Sequence, residues 1–203
     1  MRRRGRELAR RGWGLRHLRG LPPRVAWFYF RASRLALRTG DEHALRAASG
    51  PESIKRLLEV AAGRRNVAEI GTAAGWGAIA LTLADANRRV TSFDPTSWPT
   101  RERYVRLAPA AARRQLEFVD TLGTDGAEIF AGAADLVFID GDHERDATIA
   151  HMEAWRPRLA PGGVVVFHDY GNADWPGVAE AVHELGLTGE TPGGSLFVWR
   201  RPD

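Results

Sequence analysis

Two stretches of the chain finish apolar runs with acids and histidine. They are Asp135-Leu136-Val137-Phe138-Ile139-Asp140-Gly141-Asp142-His143 and Pro161-Gly162-Gly163-Val164-Val165-Val166-Phe167-His168-Asp169-Tyr170. Short apolar runs bounded by Gly and Pro read as buried strands. In an open α/β sheet the carboxyl ends of the strands share one edge, where ligands gather. Asp140 and Asp169 should therefore lie close together, although 29 residues separate them. Carboxylates brought together repel one another unless a proton or cation intervenes. A divalent cation with oxygen ligands, Mg²⁺ first among them, answers that repulsion. Asp142 suits capping of a helix that begins near Glu144 better than ligation.

A second constellation is Glu69-Ile70-Gly71-Thr72-Ala73-Ala74-Gly75-Trp76-Gly77, after an apolar run and before a helical pattern. Glycine allows positive φ and close approach of the backbone to a ligand. The helix start offers partly positive N–H groups. The spacing departs from the Gly-x-Gly-x-x-Gly of dinucleotide enzymes. Asp94 ends the next strand, 23 residues after Gly71, where an acid can accept hydrogen bonds from ribose hydroxyls. NAD and S-adenosylmethionine both carry such hydroxyls, so Asp94 indicates a nucleoside without naming it. A ligand-free βα turn and an Asp-Pro turn are the structural alternatives.

The elements that must position these residues alternate. Strands are expected at Asn66–Ile70, Arg89–Phe93, Leu116–Val119, Ala134–Ile139 and 164–167. Helices are expected at 76–86, 101–114, 145–158 and 176–185, with at most a short one at 126–130. Segments 187–191 and 195–200 flank Pro192-Gly193-Gly194 as a closing hairpin. Alternating strands and helices imply a mostly parallel sheet with helices on both faces. Upstream, Ser49-Gly50-Pro51-Glu52 marks a helix start, and 24–38 forms an amphipathic helix ending near Gly40. The chain divides into a basic helical arm, 1–45, and a catalytic domain, 46–203.

The turn at Glu69 resembles motif I of class I methyltransferases, Glu/Asp-x-Gly-x-Gly-x-Gly, with Ala73 in place of the middle Gly. The strand ends at 135–143 and 159–178 are similar to the branch containing macrocin-type sugar O-methyltransferases and cephalosporin-hydroxylase-like proteins, and more distantly to catechol O-methyltransferase. The resemblance covers about residues 50–200. It implies a Rossmann-like α/β fold, with a seven-stranded, mostly parallel sheet and an antiparallel C-terminal hairpin. It implies S-adenosylmethionine as methyl donor and a small-molecule or sugar hydroxyl as acceptor. Cofactor contacts are expected from Glu69, Gly71, Thr72, Ala73, Gly75, Asp94, Asp125 and Asp140. Asp140, His168 and Asp169 fall at the metal-binding positions, for Mg²⁺ or Mn²⁺. His168 replaces an acid of the metal-binding relatives, and imidazole suits Mn²⁺, Fe²⁺ or Zn²⁺ better than Mg²⁺. His143, three residues after Asp140, matches the histidine that acts as base in the sugar O-methyltransferases. A neutral imidazole, with an ordinary pKa of about 6.5, could take the acceptor's proton.

Composition narrows the alternatives. The absence of Cys excludes disulfides, thiolate metal sites and a Cys nucleophile, and fits a reducing cytoplasm. No apolar run reaches the length of a membrane span. The net charge of +4 conceals twelve Arg and one acid in residues 1–40, against 17 basic and 24 acidic residues in the remainder. Such an arm is compatible with peripheral membrane contact, a lid or a homodimer contact, whereas nucleic-acid binding is not expected because no stacking aromatics alternate with the basic residues. The rival readings are an NAD(P)-dependent oxidoreductase on the same topology and a non-catalytic module tethered by the arm.

Overall fold

The computed structural model describes residues 14–202. The start of the basic arm, 1–13, thus lies outside the described residues; Leu15–Leu18 is a 3₁₀ turn. Three helices precede the sheet: α1 (Pro23–Thr39), α2 (Glu42–Ala47) and α3 (Pro51–Val60). The alternating part follows as β1 (Asn66–Ile70), α4 (Trp76–Ala84), β2 (Arg89–Phe93), α5 (Arg101–Val105), α6 (Ala110–Arg113), β3 (Leu116–Val119), α7 (Gly123–Ile129), β4 (Ala134–Ile139), α8 (Arg145–Trp155), β5 (Leu159–Phe167), α9 (Pro176–Glu184), β6 (Glu190–Gly193) and β7 (Leu196–Arg200).

The seven strands lie in the order β3-β2-β1-β4-β5-β7-β6. The first five are parallel, and β7 inserts antiparallel beside β5. Successive side chains of a strand face opposite sides, so the sheet feeds two cores. Val67, Leu136, Phe138, Val164, Val166 and Val198 join the core beneath α1, α3 and α4. Ala68, Ile70, Val137, Ile139, Val165, Phe167 and Phe197 join the core beneath α8 and α9. Both faces being covered explains why β4 and β5 read as continuous apolar runs rather than alternating ones.

Two expectations are corrected. The helix anticipated at 101–114 is two short helices, α5 and α6, because Pro109 cannot continue a helix and instead precedes α6. The helix at 145–158 ends at Trp155 and tightens into a 3₁₀ turn containing Pro157. In addition, α2 had no counterpart in the sequence reading. Gly40, at φ +66°, stops α1, and the Asp41 carboxylate then caps α2 by accepting the Ala44 N–H at 3.0 Å.

The aromatic run in α1 docks on the sheet domain. Phe28 and Tyr29 are buried and pack against Trp76 of α4, which also meets Tyr104 of α5. Among the described residues no helix is long and apolar enough to cross a membrane.

Candidate active site

The carboxyl edge of the sheet opens into a cavity of about 710 Å³. Its floor comes from the loops after β1, β2, β3, β4 and β5, and one wall from the end of α2. Gly71 sits where β1 and β4 meet. Its φ is +91°, and a Cβ there would stand 2.1 Å from the Asp140 carbonyl oxygen. Only glycine lets the two strand ends close as they do. Gly75, at φ +78°, starts α4. Ala73 occupies the left-handed region at φ +43°, a conformation that costs an L-residue about 1 kcal/mol.

Asp94 organises this turn. Its Oδ2 accepts the N–H groups of Thr72 (3.1 Å) and Ala73 (2.9 Å) and the indole N–H of Trp98 (3.3 Å), while Oδ1 accepts the Thr96 N–H (2.8 Å). A carboxylate offers about four acceptor sites, so Oδ1 keeps capacity for a further donor on the cavity side. Arg101 braces the same region. Its guanidinium donates to the carbonyls of Ala73 and Thr96, pairs with Asp120 at 3.4 Å and lies over the Phe118 ring.

Glu69 lies below, almost wholly buried. Its Oε2 accepts the Ser92 hydroxyl at 2.5 Å, and Ser92 and Thr72 share a hydrogen bond at 2.6 Å. Gly77 keeps α4 clear of this carboxyl, since a Cβ there would strike Glu69 Oε1. Burial pushes the Glu69 carboxyl up to about 8, and the charges of Asp140 and Asp94 add to the rise, against the Ser92 hydroxyl and Arg101.

The other half of the cavity holds Asp140, His143, His168 and Asp169, whose ligand atoms all lie within 4.8 Å of one another. His168 Nδ1 is 2.7 Å from Asp140 Oδ1 and 3.3 Å from Asp169 Oδ2. His143 Nε2 is 3.0 Å from Asp169 Oδ2 and 3.6 Å from Asp140 Oδ1. The outer oxygens are taken: Ser49 donates to Asp140 Oδ2 and Asn172 to Asp169 Oδ1, both at 2.7 Å. Asp169 holds positive φ, +58°, at the end of β5. Burial acts to lower both imidazole pKa values, but the two carboxylates outweigh it, lifting His143 to about 9 and His168 to about 10. Burial acts to raise Asp140 and Asp169, and the imidazoles hold both below the usual carboxylate range instead. Both carboxylates thus favour the protonated form of His143.

The cavity lining includes Gly71, Ala73, Asp94, Asp140, His143, His168 and Asp169. Glu69 and Thr72 line a narrow recess beside it. Gly75 shapes the turn without lining the main cavity. Asp125 is a correction: α7 begins at Gly123, and two residues on, Asp125 has turned to solvent, leaving Gly123 and Thr124 at the cavity. Asp142 accepts the Glu144 N–H at 3.0 Å just ahead of α8. Ser49, Trp98, Asn172 and His151 were not singled out from the sequence. Asn172, three residues after Asp169, was the most accessible of these, since Asx residues after a strand end commonly bond back to nearby groups.

A family model described as a methyltransferase domain matches residues 68–170. The chain belongs to that family. It is a class I, S-adenosylmethionine-dependent methyltransferase, and its strand order and antiparallel β7 are those of the fold. No curated protein matches the chain significantly. Among solved structures, cofactor-bound Rv0187 from MTB is 22% identical, with a TM-score of 0.62 over 90% of this chain and 99% of that one. CalS11, a TDP-rhamnose 3′-O-methyltransferase of calicheamicin biosynthesis, is 19% identical, with a TM-score of 0.55 over 74% of this chain and 76% of that one. An O-methyltransferase from Bacillus cereus in complex with SAH (S-adenosylhomocysteine) is 19% identical, with a TM-score of 0.53 over 74% and 79%.

Proposed function

We propose that this methyltransferase transfers the methyl group of S-adenosylmethionine to a hydroxyl of a sugar or other small molecule. The observation that carries the proposal is the placement of two halves in one cavity. The loop 71–73 with Asp94 forms one wall, and the Asp140–Asp169 cluster forms the other. The volume, about 710 Å³, lies within the usual range for small-molecule sites. In this reading Asp94 accepts a ribose hydroxyl, and the N-terminal turn of α4 faces the methionine end with Glu69 behind it.

Methyl transfer from a sulfonium is an in-line displacement, so holding donor and acceptor in line is the main task. Trp175, stacked on His143 with ring centroids 4.7 Å apart, walls the acceptor end. Arg46 and Ser49 border the cavity from the end of α2 and the segment after it. The converging donors fit a divalent cation: His143 Nε2 and His168 Nδ1 are shielded from solvent, yet neither has a hydrogen-bond partner. Asp140, His168 and Asp169 would hold such an ion, which when bound would lower the pKa of a neighbouring acceptor hydroxyl. His143 can accept a proton only in its neutral form.

The likeness to CalS11, a TDP-rhamnose 3′-O-methyltransferase, supports the choice of a sugar acceptor. The test is calorimetry with SAH and NADH, followed by labelled methyl transfer from S-adenosylmethionine to a panel of nucleotide sugars, glycosides and catechols. SAH binding with labelled methyl ether as product is expected. NADH binding in place of SAH, or label found only on nitrogen acceptors, would overturn the proposal.

A further inference from the structure

The His/Asp cluster carries more than a generic cation site. Its four inner donors are two imidazole nitrogens and two carboxylate oxygens, contributed by the end of β4, the loop to α8 and the end of β5. Around one ion with bonds of about 2.0–2.1 Å, adjacent ligand atoms stand about 2.8–3.4 Å apart in octahedral or tetrahedral arrangements. The four nitrogen–oxygen separations here, 2.7, 3.0, 3.3 and 3.6 Å, bracket that range. Such distances also suit ion pairs, yet both nitrogens are shielded from solvent and have no well-formed hydrogen bond. Four ligand atoms that all lie within 4.8 Å of one another can share one ion.

His143 is fixed in this position from outside. Trp175 stacks on its ring. Gly177 at the start of α9 packs so closely that a Cβ would stand 2.7 Å from the His143 carbonyl oxygen and 2.5 Å from the Arg145 nitrogen. Ser49 and Asn172 orient the carboxylates through the oxygens that face away from the centre. Supporting partners of this kind are what tune a metal site. The charge also balances, because two carboxylates and two neutral imidazoles neutralise one dication.

We propose that Asp140, His143, His168 and Asp169 bind a first-row transition-metal dication in preference to Mg²⁺, with His143 as the fourth ligand. The inference rests on the methyltransferase reading of the cavity but adds the ion's identity and the role of His143. Imidazole favours Mn²⁺ to Zn²⁺, while Mg²⁺ asks for oxygen ligands. The assignment takes His143 out of the base role, because its Nε2 lone pair is then engaged.

The test titrates chelator-treated protein with Co²⁺, Mn²⁺ and Mg²⁺ by calorimetry, records the visible spectrum of the Co²⁺ form, and measures SAH affinity separately. One Co²⁺ per chain is expected, bound at least ~100-fold more tightly than Mg²⁺. His143→Ala should weaken Co²⁺ by ~10-fold or more and alter its spectrum while SAH affinity holds. His168→Glu should shift the preference toward Mg²⁺. Equal affinity for Co²⁺ and Mg²⁺, or an unchanged Co²⁺ affinity and spectrum in His143→Ala, would overturn the assignment. SAH binding with no metal binding would overturn this inference alone; loss of both would count against the methyltransferase site itself.

Discussion

The two walls of the cavity are built differently. On the wall at Asp94, where the cofactor is proposed to bind, nearly every polar group already has a partner. Asp94 accepts four donors, Ser92 links Glu69 to Thr72, and Arg101 ties the loops after β1 and β2 to Asp120. On the acceptor side two shielded imidazole nitrogens lack partners although carboxylates stand beside them. A satisfied network is rigid and ready to bind. An unsatisfied cluster of matched donors fits the ion proposed for it. On the proposed reading, the wall at Asp94 is preorganised by the protein alone, whereas the wall at Asp140 and Asp169 is completed by what binds there.

Gly71→Ala should produce the largest effect, because it strikes the point where the two walls meet. The added Cβ would collide with the backbone of Asp140, which cannot swing aside. A loss of about 3 kcal/mol or more in unfolding free energy is expected, checked by urea denaturation. A variant as stable as the parent would show that the β1–β4 junction is not closed as described.

Glu69 sharpens the comparison through pH. The unfolded chain ionises this carboxyl near 4.5 and the native protein near 8. Its contribution to stability is therefore full below pH 4.5 and is lost as pH rises through 8. The slope approaches about 1.4 kcal/mol per pH unit within that window. Glu69→Gln should flatten this part of the stability–pH curve. An unchanged slope would mean that the buried carboxyl is ionised at neutral pH.

Asp94→Ala should weaken SAH binding about tenfold or more, near 1.4 kcal/mol, by calorimetry. Unchanged affinity would remove Asp94 from the cofactor site. The smallest effect belongs to Ala73→Gly. Relief of the left-handed strain, about 1 kcal/mol, is largely offset by the greater freedom of glycine in the unfolded chain. Thermal denaturation should move by no more than a few degrees, with SAH affinity intact; a large loss of stability would mean that the Ala73 methyl group packs against something essential.

The cofactor side was also the more legible in sequence. β2, β3 and β4 run where their apolar residues and turn punctuation put them, and motif I and Asp94 lie within single short stretches. What stayed hidden depended on contacts between distant segments. Ser49 reads only as part of a helix start, yet it reaches Asp140 across 91 positions. His143 was singled out in the sequence, but its contact with Asp169 and the packing of Gly177 and Trp175 against its loop were not legible there. Asp125 was misplaced because one residue of helix register decides which side chain faces the cavity. The α2 helix, at six residues, is too short to show a helical period and owes its start to one capping carboxylate.

The most direct measurement is a crystal structure of the protein grown with SAH and Co²⁺. The account predicts SAH against Gly71, Ala73 and Asp94, with one ion bound by Asp140, His143, His168 and Asp169 on the opposite wall. A cavity holding no nucleoside, or SAH in place with the cobalt bound away from those four residues, would contradict it.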